Sequence, residues 1–324
     1  MPVTVEIPRE TFTGRIRQVT LGATKDQGGT RKKTVTVGGE TTLPFLHFEG
    51  EIPNPPAVAL EITDVFPAEW SPLLIQAWGE NTLKDPAQWA ARAEEVDADL
   101  VMIKLTGLDS SGQHYPAKEA TVIVKRVLEA TGLPLIVRGP GQPERDNELL
   151  TAVADATAGE RLALGLCEDK NYRTIVAAAL ANNHVVIAST PIDVNLAKQL
   201  NILISDMNMP LDRVLMDPTT GSLGYGLEYT YSVMERLRLA ALQGDSMVQV
   251  PMICFAGEES WRQKESKVGE GVPESWGDWE KRAVMWEAIT AITLLHAGAN
   301  IVTLRHPKTI GLVKREIQKL MNKP

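Results

Sequence analysis

Apolar and polar positions along this chain follow two periods that take turns. Short, nearly continuous apolar runs read as buried strands: AVALEITDVF (57–66), LVMIKLTGL (100–108), LPLIVRG (133–139), LALGLCE (162–168), HVVIAST (184–190), RVLMD (213–217), VQVPMICF (248–255) and NIVTLRH (300–306). After each comes a stretch whose apolar residues recur at three and four residue steps, the spacing of one helix face. These stretches are DPAQWAARAEEV, PAKEATVIVKRVLEAT, ERDNELLTAVADA, NYRTIVAAALAN, VNLAKQLNILISDM, EYTYSVMERLRLAAL, DWEKRAVMWEAITAITLLH and TIGLVKREIQKLM. Asp85-Pro86 and Asp146-Asn147 supply helix-start chemistry, and Gly132 a helix stop.

Eight strands alternating with eight helices over about 265 residues predict a (β/α)8 TIM barrel. An open doubly wound sheet is the alternative, but it requires neither a count of eight nor constant strand spacing. Residues 1–56 differ. TVEI, GRIRQVTLG and KTVTVGGETTLPFLHFEG read as short strands, with Gly38-Gly39 as a hairpin turn and Lys25 to Lys33 as a polar loop. Pro53-Asn54-Pro55-Pro56 marks a boundary. The expected division is an N-terminal β extension, 1–56, and a barrel, 57–324.

Composition narrows the function. The 324 residues are 44% hydrophobic and 23% charged, a globular composition. The formal charge of -8 argues against nucleic acid or an anionic membrane as partner. No apolar run reaches a membrane span, and MPVTVEIPRE has no secretory pattern. Cys167 and Cys254 sit apart in apolar runs, which suits a reducing cytoplasm. Two isolated cysteines cannot hold an iron-sulfur cluster, and no zinc spacing is present.

In a barrel the chemistry lies where the strands end. Those ends carry Asp64, Thr106-Gly107, Arg138-Gly139, Cys167-Glu168, Ser189-Thr190, Asp217, Phe255-Ala256-Gly257 and Arg305-His306. After the sixth strand comes DPTTGSLGYG, with Thr219, Thr220, Gly221 and Tyr225. Its G-x-x-G-x-G spacing is not the dinucleotide fingerprint. The loop could cradle a phosphate on backbone amides or pack closely against a partner. Glu61 and Lys104 are charges inside apolar strands. They are expected to pair and brace the interior, with a Schiff-base lysine as the alternative. His306, the one histidine at a strand end, reads first as structural. Glu258 to Trp279 is a long connection carrying Trp261, Trp276 and Trp279. These rings either face a partner or cover the barrel's own helix tops.

The stretches TVTVGGETTLPFLHFEGEIPNPPAVALEITD, DADLVMIKLTG, LMDPTTGSLGYGLEYTYSVMERLRLAAL and ESWGDWEKRAVMWEAITA carry a full-length resemblance. They resemble the small subunit of the corrinoid iron-sulfur protein, the acetyl-CoA decarbonylase/synthase delta-type subunit, of the reductive acetyl-CoA pathway. The resemblance implies a barrel subunit in a heterodimer. The larger subunit would hold the iron-sulfur cluster and a cobalamin-binding domain, with no cluster in this chain. A methyl group would come from methyltetrahydrofolate through a methyltransferase and leave to acetyl-CoA synthase. The resemblance supplies no catalytic residue and no metal ligand. From barrel geometry, the candidate corrinoid contacts are Thr106, Arg138, Ser189, Thr190, Asp217, Thr219, Thr220, Gly221, Tyr225, Gly257 and His306. Competing readings are a pterin-dependent methyltransferase using Asp64 and Asp217, a lyase using Lys104, and a scaffold that never touches the cofactor.

Overall fold

A computed structural model describes residues 7–322. Eight parallel strands close into a barrel: β3 (Ala57–Thr63), β4 (Leu100–Lys104), β5 (Leu135–Arg138), β6 (Ala163–Cys167), β7 (Val185–Ser189), β8 (Val214–Asp217), β9 (Met252–Cys254) and β10 (Ala299–Leu304), with β10 beside β3. Ahead of them β1 (Val19–Leu21) and β2 (Val35–Val37) form a separate antiparallel pair. The fold is the expected (β/α)8 barrel.

The helices that wrap it are α3 (Pro86–Glu95), α4 (Ala117–Ala130), α5 (Pro143–Ala156), α6 (Tyr172–Ala181), α7 (Val194–Asp206), α8 (Leu227–Leu242), α11 (Trp279–His296) and α12 (Pro307–Met321). The short helices α1 (Pro72–Trp78), α2 (Glu80–Leu83), α9 (Ala256–Arg262) and α10 (Lys264–Lys267) were not visible in the periodicity. Asp85, with Pro86 behind it, caps α3 by accepting from Ala87 N at 3.0 Å. The start expected at Asp146 lies earlier, at Pro143. Asp146 is inside α5 and reaches back to accept from Gly141 N at 3.0 Å.

Strand alternation separates two cores. Val58, Leu60, Ile62, Val101 and Ile103 face the helices. Ala57, Ala59, Leu100, Met102, Ile136, Val185, Ile187 and Ile301 face the barrel axis and pack with Val19, Leu21 and Val37. The β1–β2 pair therefore plugs the end where the strands begin.

The connection between β1 and β2 runs through residues 22–34, so Gly38-Gly39 is not the turn; it follows β2. This connection carries Arg31, buried, which donates to Leu128 O (2.6 Å), Thr131 O (2.7 Å) and Leu133 O (3.1 Å) and pairs with Glu160 at 3.1 Å. The last carbonyls of α4 thus receive a charged donor from the extension. Glu40 makes a second tie, accepting from Arg238 at 3.4 Å and from Asn300 at 2.5 Å. The proposed strand TVEI falls on residues 4–7, of which 4–6 lie outside the described residues. Among the described residues, no helix is long and apolar enough to cross a membrane.

Candidate functional site

Continuing the alternation upward brings Glu61, Lys104, Arg138, Ser189 and Asp217 toward the axis at the C-terminal mouth. Four basic side chains and two buried acids fill much of that mouth. Glu61 accepts from Arg305 Nη2 at 2.5 Å. Glu258, in the first turn of α9, accepts from Lys104 Nζ at 2.6 Å, from Arg262 Nη2 at 2.7 Å and from Arg138 Nη1. Glu61 and Lys104 are therefore braces, as expected, but not with each other. Burial opposes ionisation of Glu258, yet Arg138 and Lys104 outweigh it and hold its carboxyl below the ordinary range. Arg138 also lies 4.4 Å over the Phe255 ring, and Arg305 4.3 Å over Trp70.

Asp217 organises the opposite side of the mouth. It is buried and accepts from Ser189 Oγ at 2.8 Å and Thr219 N at 3.0 Å. Thr219 Oγ1 donates in turn to Thr190 O at 2.6 Å, so the ends of β7 and β8 are tied together. Burial pushes the Asp217 carboxyl up to about 6. Asp64 does the same for β3 and β4, accepting from Tyr115 Oη at 2.5 Å and Thr106 N at 2.8 Å, with its carboxyl raised by burial.

The glycine loop turns inward on itself. Gly221 N donates to Thr230 Oγ1 (2.8 Å), Leu223 N to Thr290 Oγ1 (3.2 Å) and Tyr225 N to Ser222 O (2.9 Å). A Cβ at Gly221 would stand 2.5 Å from Gly226 O. These amides are already used, so close packing explains the loop better than a phosphate cradle. Gly257 is likewise a packing residue: a Cβ there would meet Arg305 N, Leu304 Cα and Glu287 Oε1, each at 3.0 Å. Glu287 is buried and accepts from Arg305 N at 2.6 Å and His306 N at 3.3 Å.

His306 lies beneath the rim, buried, with Nδ1 accepting from Lys308 N at 3.1 Å to cap α12. Its ring stacks on Trp261 with centroids 5.9 Å apart, and burial lowers it to about 4. Trp261, which could have faced a partner, is 2% exposed. Trp279 Nε1 donates to Ser266 O at 2.9 Å, and Trp276 sits under Arg282 at 5.3 Å. The connection 258–279 is thus a folded strap rather than a loose loop, with α9, α10 and a 3-10 turn at Glu274–Trp276. The tryptophans cover the barrel's own elements.

Of the candidate contacts, the structure brings together Ser189, Thr190, Asp217 and Thr219, while Thr106 and Arg138 lie further round the mouth. Thr220 is spent as an acceptor from Phe255 N at 2.9 Å. Thr219 and Tyr225 are exposed, Tyr225 at 48%. Ser189, Thr190 and Thr219 line a cavity of about 580 Å³, together with Glu168, Asp169, Lys170, Pro191 and, from α7, Leu196, Gln199, Leu200 and Leu203. Glu258, Glu287 and Tyr115 join the site through the fold alone. Apart from Arg262, four residues after Glu258, their partners lie 18 or more positions away in the chain, so no local spacing marks them.

The family described as CO dehydrogenase/acetyl-CoA synthase delta subunit matches residues 18–306. The delta subunit of the acetyl-CoA decarbonylase/synthase complex of Archaeoglobus fulgidus is 37% identical, over 97% of this chain and 70% of its own length. The chain belongs to this delta subunit family. The Methanopyrus kandleri delta subunit is 36% identical over 94% of this chain and 75% of its own length. Among solved structures, dihydropteroate synthase from Xanthomonas albilineans superposes with a TM-score of 0.58 at 16% identity, over 87% of this chain and 98% of that one. The enzyme from Thermus thermophilus gives 0.53 at 12% identity, over 86% and 98%. At such identity the likeness is one of barrel fold. Family membership agrees with the resemblance read from the sequence. In this delta-family barrel Lys104 is salt-bridged, and Asp64 and Asp217 are hydrogen-bonded within the chain.

Proposed function

We propose that this chain is the barrel subunit of a heterodimeric corrinoid methyl carrier, offering a rim that encloses the cofactor rather than a catalytic site of its own. One observation carries the reading: the mouth, where a barrel enzyme receives its substrate, is packed with the chain's own ion pairs around Glu61 and Glu258. Open space lies instead to one side, in the cavity beside Ser189, Thr190 and Thr219. The cavity presents hydroxyl groups on the strand side, leucines on the α7 side, and Glu168, Asp169 and Lys170 beside them, a lining for one edge of a polar, amide-rimmed macrocycle. Ser189, Thr190, Thr219 and, across the glycine loop, Tyr225 are the groups that would meet it.

When bound, a corrinoid supplies a cobalt centre able to take up and release a methyl group. The chain's own work is positional. Asp217 fixes the Ser189 hydroxyl and the Thr219 amide, and Asp64 fixes Thr106. The strong acids and bases of the mouth are engaged with one another, which suits shielding of a reactive metal better than proton transfer. The large corrinoid iron-sulfur subunit is the partner in this reading, a methyltetrahydrofolate methyltransferase the methyl source, and acetyl-CoA synthase the recipient.

Mixing the purified chain with the large subunit is expected to give one coloured species of summed mass in size exclusion. A chain that stays monomeric contradicts the reading. Within the complex, Thr219→Val or Tyr225→Ala is expected to shift the corrinoid's visible spectrum. Unchanged spectra in both would reduce the chain to a scaffold.

A further inference from the structure

The end of the barrel opposite the mouth carries an unfilled groove beside an open sheet edge. β2 pairs with β1 along one edge, and among the described residues its other edge pairs with no strand. Thr34, Val35 and Thr36 make no backbone bond outside that pair. All three line a cavity of about 500 Å³. Successive side chains of a strand point to opposite faces, so a cavity that meets three in a row lies along the edge of β2 rather than on one face. Across it stand Ile317 and Met321 of α12, which with Val35 make the interior apolar. Pro55 and Pro56 add wall that has no backbone N–H to offer. Asp99, the one carboxylate in the lining, is spent: it accepts from Lys314 Nζ at 2.6 Å and from Val58 N at 2.9 Å. Lys33 is exposed and, among the described residues, has no ion pair. The lining is left with one uncompensated charge, and it is positive.

We propose that this groove takes an extended segment of a partner protein, added to β2 as a third, antiparallel strand. The segment is apolar at every second position and ends in an acid. An unpaired edge is a template for such addition, and main-chain bonds supply the grip while alternate side chains supply the choice of partner. Lys33 to Thr36 span about 10 Å, room for three or four residues. The alternate apolar side chains reach Ile317 and Met321, and the antiparallel direction brings the C-terminal acid to Lys33. Occupation of this end leaves the upper rim free. The inference is therefore independent of the corrinoid reading above.

The test uses the full chain and fluorescence anisotropy. The probe is a fluorescein-labelled hexapeptide, SVTVTE, with a free C-terminal carboxylate. It is expected to bind, and the same peptide N-methylated at its two central residues is expected to bind about tenfold more weakly, because the ladder donors are gone while the side chains remain. Lys33→Glu is expected to weaken SVTVTE about fivefold, the scale of an exposed charge pair. That variant should in turn prefer the lysine-ended peptide SVTVTK with an amidated C-terminus. Lys33 is exposed, so thermal unfolding of the variant should match wild type. No binding of SVTVTE to the wild-type chain, equal binding of the N-methylated peptide, or indifference to Lys33→Glu would each overturn the proposal. A chain that dimerises with rising concentration in size exclusion, and is returned to monomer by SVTVTE, would give the groove to a second copy and overturn it as well.

Discussion

Glu258 holds three cationic side chains at once, from β4, from β5 and from its own helix. Glu258→Gln would leave Lys104 and Arg138 largely buried without their anion. A loss of about 3–5 kcal/mol is expected in urea unfolding at neutral pH. By contrast, Lys84→Ala removes an exposed pair with Glu80 and should cost less than about 1 kcal/mol. Asp217 behaves in the opposite sense. Burial raises its carboxyl from 3.8 to about 6, so its contribution to stability is fully present below the lower value and lost as the pH rises through the higher one. Asp217→Asn cannot ionise. Relative to wild type it should gain stability as the pH rises through that window, by up to about 3 kcal/mol, in unfolding measured at several pH values. A constant difference would contradict the burial argument. Glu61 and Lys104 were legible as interior charges because each interrupts an apolar strand. Their partners were not, since Arg305 and Glu258 stand 244 and 154 positions away in the chain.

At the scale of elements, the strands and long helices were legible because period and length agree. The four short helices were not, since a single turn or two leaves too few apolar repeats to show a face. The strap over residues 256–279 is the consequential case. Arg282 of α11 holds it through four carbonyls: Glu265 O (2.7 Å), Val268 O (2.7 Å), Trp276 O and Gly277 O (both 3.2 Å). Neither the spacing nor the charge pattern announces such a hub. Arg282→Ala is expected to raise hydrogen exchange across residues 264–278 by tenfold or more, about the worth of the lost charged donor, with little change in global unfolding. Unchanged exchange there would show that the tryptophans alone hold the strap.

For the molecule as a whole, the two ends of the barrel have been given different tasks. The lower end is sealed by apolar residues of β1 and β2 and locked by Arg31 and Arg238. Arg31→Ala would strip three carbonyls and Glu160 of their donor, and a loss of about 3–5 kcal/mol is expected. The upper end is polar and filled by its own ion pairs, with a cavity beside α7. The barrel was legible from eight alternations, and the family from whole stretches of sequence. Which rim residues share a cavity was not, because loops from three strands must first meet in space. The account's central claim is that the upper rim faces the cofactor and its carrier. Hydrogen exchange of the chain, free and in complex with the corrinoid-loaded large subunit, tests it most directly. Protection is predicted at residues 106–116, 168–172, 189–193 and 219–226, with β1 and β2 unchanged; protection confined to the hairpin end, with the rim exchanging as in the free chain, would contradict it.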